Sequence, residues 1–154
     1  MRDGGILEFD NENRPTMAMI VYNRLIPFGG FEAMAIWPFI FTRQRLISDR
    51  RRNHEKIHLR QQFEVMALSA VVLASLCLTC IPWWWMAASP SVYYLLYAAD
   101  YAVRTIAYRS KDEGYRNICF EQEAVMKEYD FGYIKRRRAF AWTGYIRRKT
   151  YSRQ

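Results

Sequence analysis

Histidine is the scarcest informative residue in this chain of 154 residues, which has two. With so few, only one metal site built on imidazole can exist, and a di-iron site with two E-x-x-H motifs is excluded. Cysteine is nearly as rare: three residues, an odd number. Cys77 and Cys80 form one C-x-x-C with no second pair to complete a zinc ribbon, and they lie inside an apolar run. With Cys119 they read as small buried hydrophobes. Glycine and proline are missing from Asp49 to Ile81, which excludes a loop there and predicts one long helix. Charge is missing from Val65 to Ala88, which is at odds with a solvated surface segment. Met1 to Asn13 lacks an apolar run, so no cleavable signal peptide is expected.

What is present is basic and aromatic. The net charge is +8, and 16% of residues are aromatic, with five tryptophans and eleven tyrosines. Such an excess of positive charge attracts polyanions, either nucleic acid or an anionic lipid leaflet. The uncharged segment and the indoles favour the leaflet. No base-reading motif accompanies the arginines, so nucleic acid is the weaker partner. The length suits a single domain over 1–154.

The two histidines stand together in Asn53-His54-Glu55-Lys56-Ile57-His58. On a helix, positions i and i+4 share a face, so His54 and His58 can reach one ion. Glu55 lies about 100° around the helix from His54, placed to touch water at that ion without ligating it. This is the H-E-x-x-H arrangement of zinc hydrolases: two neutral nitrogen ligands, a carboxylate as general base and an open coordination position.

The expected fold is mainly α. Residues 1–16 read as a flexible start with Gly4-Gly5 as a breaker. Within 17–41, Met17 to Tyr22 and Ala33 to Phe41 predict a short β-hairpin or a membrane-surface segment, joined by the turn Pro27-Phe28-Gly29-Gly30. Pro38 forces an edge position or a break. Ser48 and Asp49 signal a helix start. From there 49–108 predicts a metal-site helix running into a membrane hairpin. Val65 to Ala88 as helix would span about 36 Å, enough for a bilayer core. Trp83, Trp84 and Trp85 would mark the far interface. After Ser89-Pro90-Ser91 a second apolar run, Val92 to Tyr108, contains Asp100 and Arg104 at i, i+4, either paired with each other or with Asp100 turned toward the metal site. Lysines and arginines cluster before residue 61 and after residue 103, which by the positive-inside rule puts both termini and the metal site on the cytoplasmic side of the inner membrane. A soluble helical bundle or dimer is the competing arrangement. In 113–149, Gly114 predicts a turn, Ile118 to Glu128 a helix, and Tyr133 to Lys149 a basic amphipathic helix suited to anionic lipid.

A hydrolytic zinc needs a third protein ligand. Glu64 has the spacing of one zincin class, but Gln61 stands where that class has glycine, so the helix stays straight and carries Glu64 past the ion. Glu121 and Glu123, on the later helix, are better placed. The pairing of H-E-x-x-H with Glu121-Gln122-Glu123-Ala124 resembles the gluzincin metallopeptidases, including integral-membrane members. That resemblance implies zinc bound by His54, His58 and Glu121, with Ala124 packing behind, and Glu123 as the alternative. Val125 departs from the Asp or Asn usual after the alanine, so one outer hydrogen bond of that family is replaced. Asn117 and Asp100 are the candidate outer partners. A closer likeness is to a group of small bacterial proteins of unassigned role. It is carried by Asn53-His54-Glu55-x-Ile57-His58 with Gln62 and Glu64, then Tyr115-Arg116-Asn117 and Phe120-Glu121-x-Glu123-Ala124, and covers the chain from about residue 23.

The implied mechanism is zinc-assisted peptide hydrolysis, with Glu55 taking the proton from water and passing it to the leaving amine. With His58 about 10 Å along the helix from Val65, the expected substrate is a peptide or protein segment near the cytoplasmic membrane face. Two other classes stay open: a non-catalytic protein in which a closed zinc site ties helices together, with Glu64, Glu123 or Cys119 as fourth ligand, and a basic module that binds lipid or nucleic acid. The chain is short for a peptidase, and a homo-oligomer could supply missing walls.

Overall fold

The computed structural model describes residues 7–9, 19–23, 26–27, 31–44 and 46–147. The predicted flexible start, apart from 7–9, and the turn residues 28–30 lie outside them, as do Arg148 and Lys149. The chain divides into two compact units, one from the chain up to Arg60 with Met126–Arg136, the other from Gln61–Val125 with the chain from Arg137 onward. The architecture is mainly helical with a small sheet.

The first unit holds the sheet, in the order β1-β2-β4-β3. Its strands are β1 (Leu7–Phe9), β2 (Met19–Tyr22), β3 (Ala33–Ile36) and β4 (Phe39–Thr42). The predicted hairpin is thus one element too simple. Pro38 breaks the second apolar run in two, so the hairpin forms between β3 and β4, while β2 pairs with β4 in parallel. Register lines up Ile20, Ile40 and Ala35 across three strands. This row is buried and packs on Leu59, with Ile47 beside it. Side chains alternate across a strand, so these positions face inward together.

Leu59 belongs to α1 (Asp49–Cys77). The helix starts where Ser48 and Asp49 predict: the Ser48 hydroxyl accepts from the Arg51 amide at 3.3 Å, satisfying an otherwise orphaned donor. Opposite it in this unit, Asn53 donates from Nδ2 to the main-chain carbonyls of Lys127, Glu128 and Asp130. These lie at the end of α4 (Cys119–Lys127), where helix carbonyls lack partners of their own.

In the second unit the rest of α1 runs beside α2 (Ser89–Tyr108). The two form an antiparallel hairpin: Gln61 meets Tyr93, and Ser69 donates to the Ser89 carbonyl. The helix was expected to continue through the apolar run; it stops at Cys77. The Leu76 carbonyl then accepts from the amides of Thr79, Cys80 and Ile81, winding the chain down into a turn. Pro82 explains the stop, since it disfavours helical backbone at Ile81 and has no N–H to offer. Trp83–Ala88 is a 3₁₀ helix instead. Among the described residues no helix is long and apolar enough to cross a membrane. The predicted spanning hairpin is therefore corrected to a helical hairpin, neither helix of which is long and apolar enough to cross.

Two further corrections concern the later segments. Gly114 is not a turn; it lies in α3 (Lys111–Arg116), which Ser110 caps by accepting from the Glu113 amide. A Cβ at Gly114 would come within 2.8 Å of the Thr105 backbone, so glycine is what lets α3 close on α2. The basic helix predicted for Tyr133 to Lys149 is reduced to α5 (Tyr133–Arg136), followed by Phe140 in left-handed backbone and a 3₁₀ turn Ala141–Tyr145. The reason is Arg137, whose side chain turns inward to two buried carboxylates, Glu64 and Glu123. A regular helix with its basic face in solvent would leave those carboxylates unneutralised. The core of this unit is Val65, Tyr93, Ile118, Cys119 and Phe120, ringed by aromatics including Tyr97 and Trp142.

Candidate metal centre

The histidines lie within the first unit and are buried, as is Glu55 between them. The helix places their rings on one face as the i, i+4 spacing requires, and the two Nε2 atoms are 3.1 Å apart. Two nitrogens bound to one tetrahedral zinc at about 2.0–2.1 Å sit about 3.3 Å from each other. The pair is thus at ligand spacing. Behind it, His54 Nδ1 faces Glu128 Oε2 at 3.2 Å. A carboxylate can only accept, so Nδ1 carries the proton and the Nε2 lone pair points toward His58. Arg50 in turn binds the other oxygen of Glu128 at 2.7 Å. A carboxylate fixing the tautomer of a histidine from behind is the usual outer support of a metal-ligating imidazole.

Glu128 and Asn53 make contacts at the candidate site that sequence reasoning missed. Glu128 closes the predicted helix Ile118 to Glu128, and nothing in its spacing from Glu121 marks it as a partner of His54. Asn53 was part of the quoted motif, but its task, holding the end of α4, depends on the fold.

The second unit places the carboxylate candidates apart in role. Glu121 is buried, and its Oε1 accepts from the Tyr97 hydroxyl at 2.7 Å and the Tyr115 hydroxyl at 3.1 Å. Burial, and then the negative charge of Glu121, hold the Tyr97 hydroxyl well above its ordinary range, so it stays a donor. Two tyrosine hydroxyls orient this carboxylate. Glu123 is fully buried and differs: Gln61 donates to it at 3.0 Å, and Arg137 binds both of its oxygens. Glu64 also pairs with Arg137 and accepts from the Phe140 amide. Burial pulls the Arg137 guanidinium down, but its hydrogen bonds to Glu123 and Glu64 outweigh that and raise it. Glu123 and Glu64 therefore serve a fixed internal cation.

The remaining candidates are structural in their contacts. Asn117 donates to the Glu113 carbonyl and accepts from Gln122, tying α3 to α4. Asp100 pairs with Arg104 at 2.7 Å and accepts the Cys119 amide at 2.7 Å, capping the start of α4. Of its two readings the pairing is present, with a helix cap added to it. Burial, and then Asp100, push the Cys119 thiol up to about 12. Trp83, Trp84 and Trp85 are exposed on the 3₁₀ helix, with Trp84 and Trp85 stacked at 5.1 Å.

No protein-family model, curated protein or solved structure matches this chain. Its function is read from the site.

Proposed function

We propose that the chain is a zinc-dependent hydrolase of peptide bonds acting near a membrane face, with His54, His58 and Glu121 as metal ligands and Glu55 as general base. The observation that carries the reading is the histidine pair: two Nε2 atoms 3.1 Å apart, one ring backed by a buried carboxylate. Glu121 enters as the third ligand through the gluzincin-like pattern of the sequence. Glu121 is preferred to Glu123 because both oxygens of Glu123 are held by Arg137.

A zinc ion so held supplies Lewis acidity toward a carbonyl and its attacking water. Glu55, one position after His54 and buried, receives the proton of that water and returns it to the leaving amine. Glu128 keeps His54 in the tautomer that presents Nε2. The likeness to gluzincins supports the peptidase class, and the basic, aromatic composition supports placement at the cytoplasmic face of the inner membrane.

The test is elemental analysis of purified wild type and of His58→Ala, Glu121→Ala and Glu123→Ala. Near-stoichiometric zinc is expected in the wild type, lost with His58 and Glu121. For Glu123→Ala, which also uncouples Arg137, retention is read on the protein that remains folded by circular dichroism. Zinc-free wild type after reconstitution would overturn the reading. Glu55→Gln is expected to keep the metal and lose cleavage of a fluorogenic peptide library by at least a hundredfold. Cleavage at the wild-type rate would remove Glu55 as the base.

A further inference from the structure

We propose that the second unit docks on an anionic lipid bilayer by seating the α1–α2 hairpin in one leaflet without crossing it. The proposal is independent of the metal site. Not one charged residue occurs from Val65 to Ala99, through the apolar end of α1, the tip and the first half of α2. The side chains there are large, apolar and exposed: Leu78 is 87% and Trp83 80% exposed, and Val71 and Leu95 are each more than 60% exposed. Chains in water do not present so continuous an apolar surface without a partner.

The geometry says which partner. The apolar part of α1, Val65 to Cys77, rises about 18 Å, too short for a hydrocarbon core of about 30 Å, and α2 rises about 30 Å, too long to stand in one leaflet of about 15 Å, so the hairpin lies along the interface. On α2, Leu95, Ala99, Ala102 and Ile106 follow one stripe, all exposed, and the exposed Arg109 caps the helix just beyond it. An apolar stripe ending in a cation fits acyl chains that end in phosphate. Lys111 and Arg138 are exposed in the same unit and add to the attraction for anionic headgroups. Tryptophans at the tip fit the glycerol level, where an indole has an apolar body and a wet edge. Exposed apolar side chains lie on both helices and on the tip, a shape that a fluid bilayer fits.

The experiment uses the full chain with vesicles of phosphatidylcholine alone and of phosphatidylcholine with 30% phosphatidylglycerol. Flotation with the mixed vesicles is expected, at least tenfold above the neutral ones. It should be lost in a Leu78→Glu, Trp83→Glu variant whose circular dichroism is unchanged, since both positions are surface. Tryptophan fluorescence should be quenched more by lipids brominated high on the chain than by those brominated near its end. Cys80, in a Cys77→Ser background, should resist an impermeant maleimide sealed inside the vesicles. Labelling of Cys80 from the lumen would show a hairpin that crosses and overturn the one-leaflet seat. Failure to float, with a stable dimer by light scattering that the double variant abolishes, would assign the surface to a second copy instead.

Discussion

At the scale of single residues, Glu128 is the most informative position. Its carboxylate accepts from His54 Nδ1 while Arg50 holds its far oxygen, so one proton is fixed on one nitrogen of His54. Removing such an outer partner typically weakens a metal site 10- to 100-fold. Glu128→Ala is expected to lower zinc affinity by about that factor, measured by competition with a chromophoric chelator. Glu128→Gln, which keeps an acceptor oxygen, should recover part of the loss. Equal affinity in all three proteins would detach Glu128 from the site. The cysteines give a separate check. Cys80 is exposed, whereas Cys119 is buried with a thiol pushed up to about 12, so it stays protonated at any pH a folded protein tolerates. One fast maleimide label at Cys80 and none at Cys119 before denaturation is the expected pattern in lipid-free protein carrying Cys77→Ser. Early labelling of Cys119 would contradict its packing.

At the scale of elements, the decisive contact of the second unit is Arg137 with Glu64 and Glu123, its side chain only 1% exposed. Replacing it with methionine removes the cation that Glu64 and Glu123 share, and breaking a buried pair typically costs about 3–5 kcal/mol. Arg137→Met is expected to lose about that much in denaturant unfolding, and the triple change Arg137→Met, Glu64→Gln, Glu123→Gln to regain most of it. A loss under about 1 kcal/mol for the single change would show the cluster to be idle. Gly114→Ala should cost about 1–3 kcal/mol, because its Cβ meets the Thr105 backbone. The same contacts explain what the sequence hid. The start of α1 was legible because a serine cap acts within three residues, and the i, i+4 histidines were legible because helix geometry alone joins them. The C-terminal helix was misread because its end is dictated by Glu64, far away in sequence, which draws Arg137 out of the helical pattern. Gly114 was misread for a like reason, since its need arises from Thr105 on another helix. The stop at Cys77 was foreshadowed by Pro82, but hydropathy over the run concealed it.

At the scale of the whole molecule, the metal reading has a thermodynamic consequence that needs no substrate. An ion that binds the folded chain and not the unfolded one stabilises it by RT ln(1 + [L]/Kd), about 2.7 kcal/mol at a hundredfold excess over Kd. For a chain of 154 residues this corresponds to a rise in Tm of about 5–10 °C. Wild type stripped with chelator and then given zinc should show that rise. His58→Ala should show none, because a single imidazole cannot hold the ion. Glu55→Gln should show all of it, since the proposed base does not ligate. Glu121→Ala separates the two parts of the reading. If the rise disappears, the buried carboxylate held by Tyr97 and Tyr115 is the third ligand. If it persists undiminished, the histidine pair binds without Glu121, and the gluzincin pattern is not the one this chain uses. A wild type whose Tm ignores zinc would leave the 3.1 Å contact as a hydrogen bond between two imidazoles, and Glu128 as its anchor.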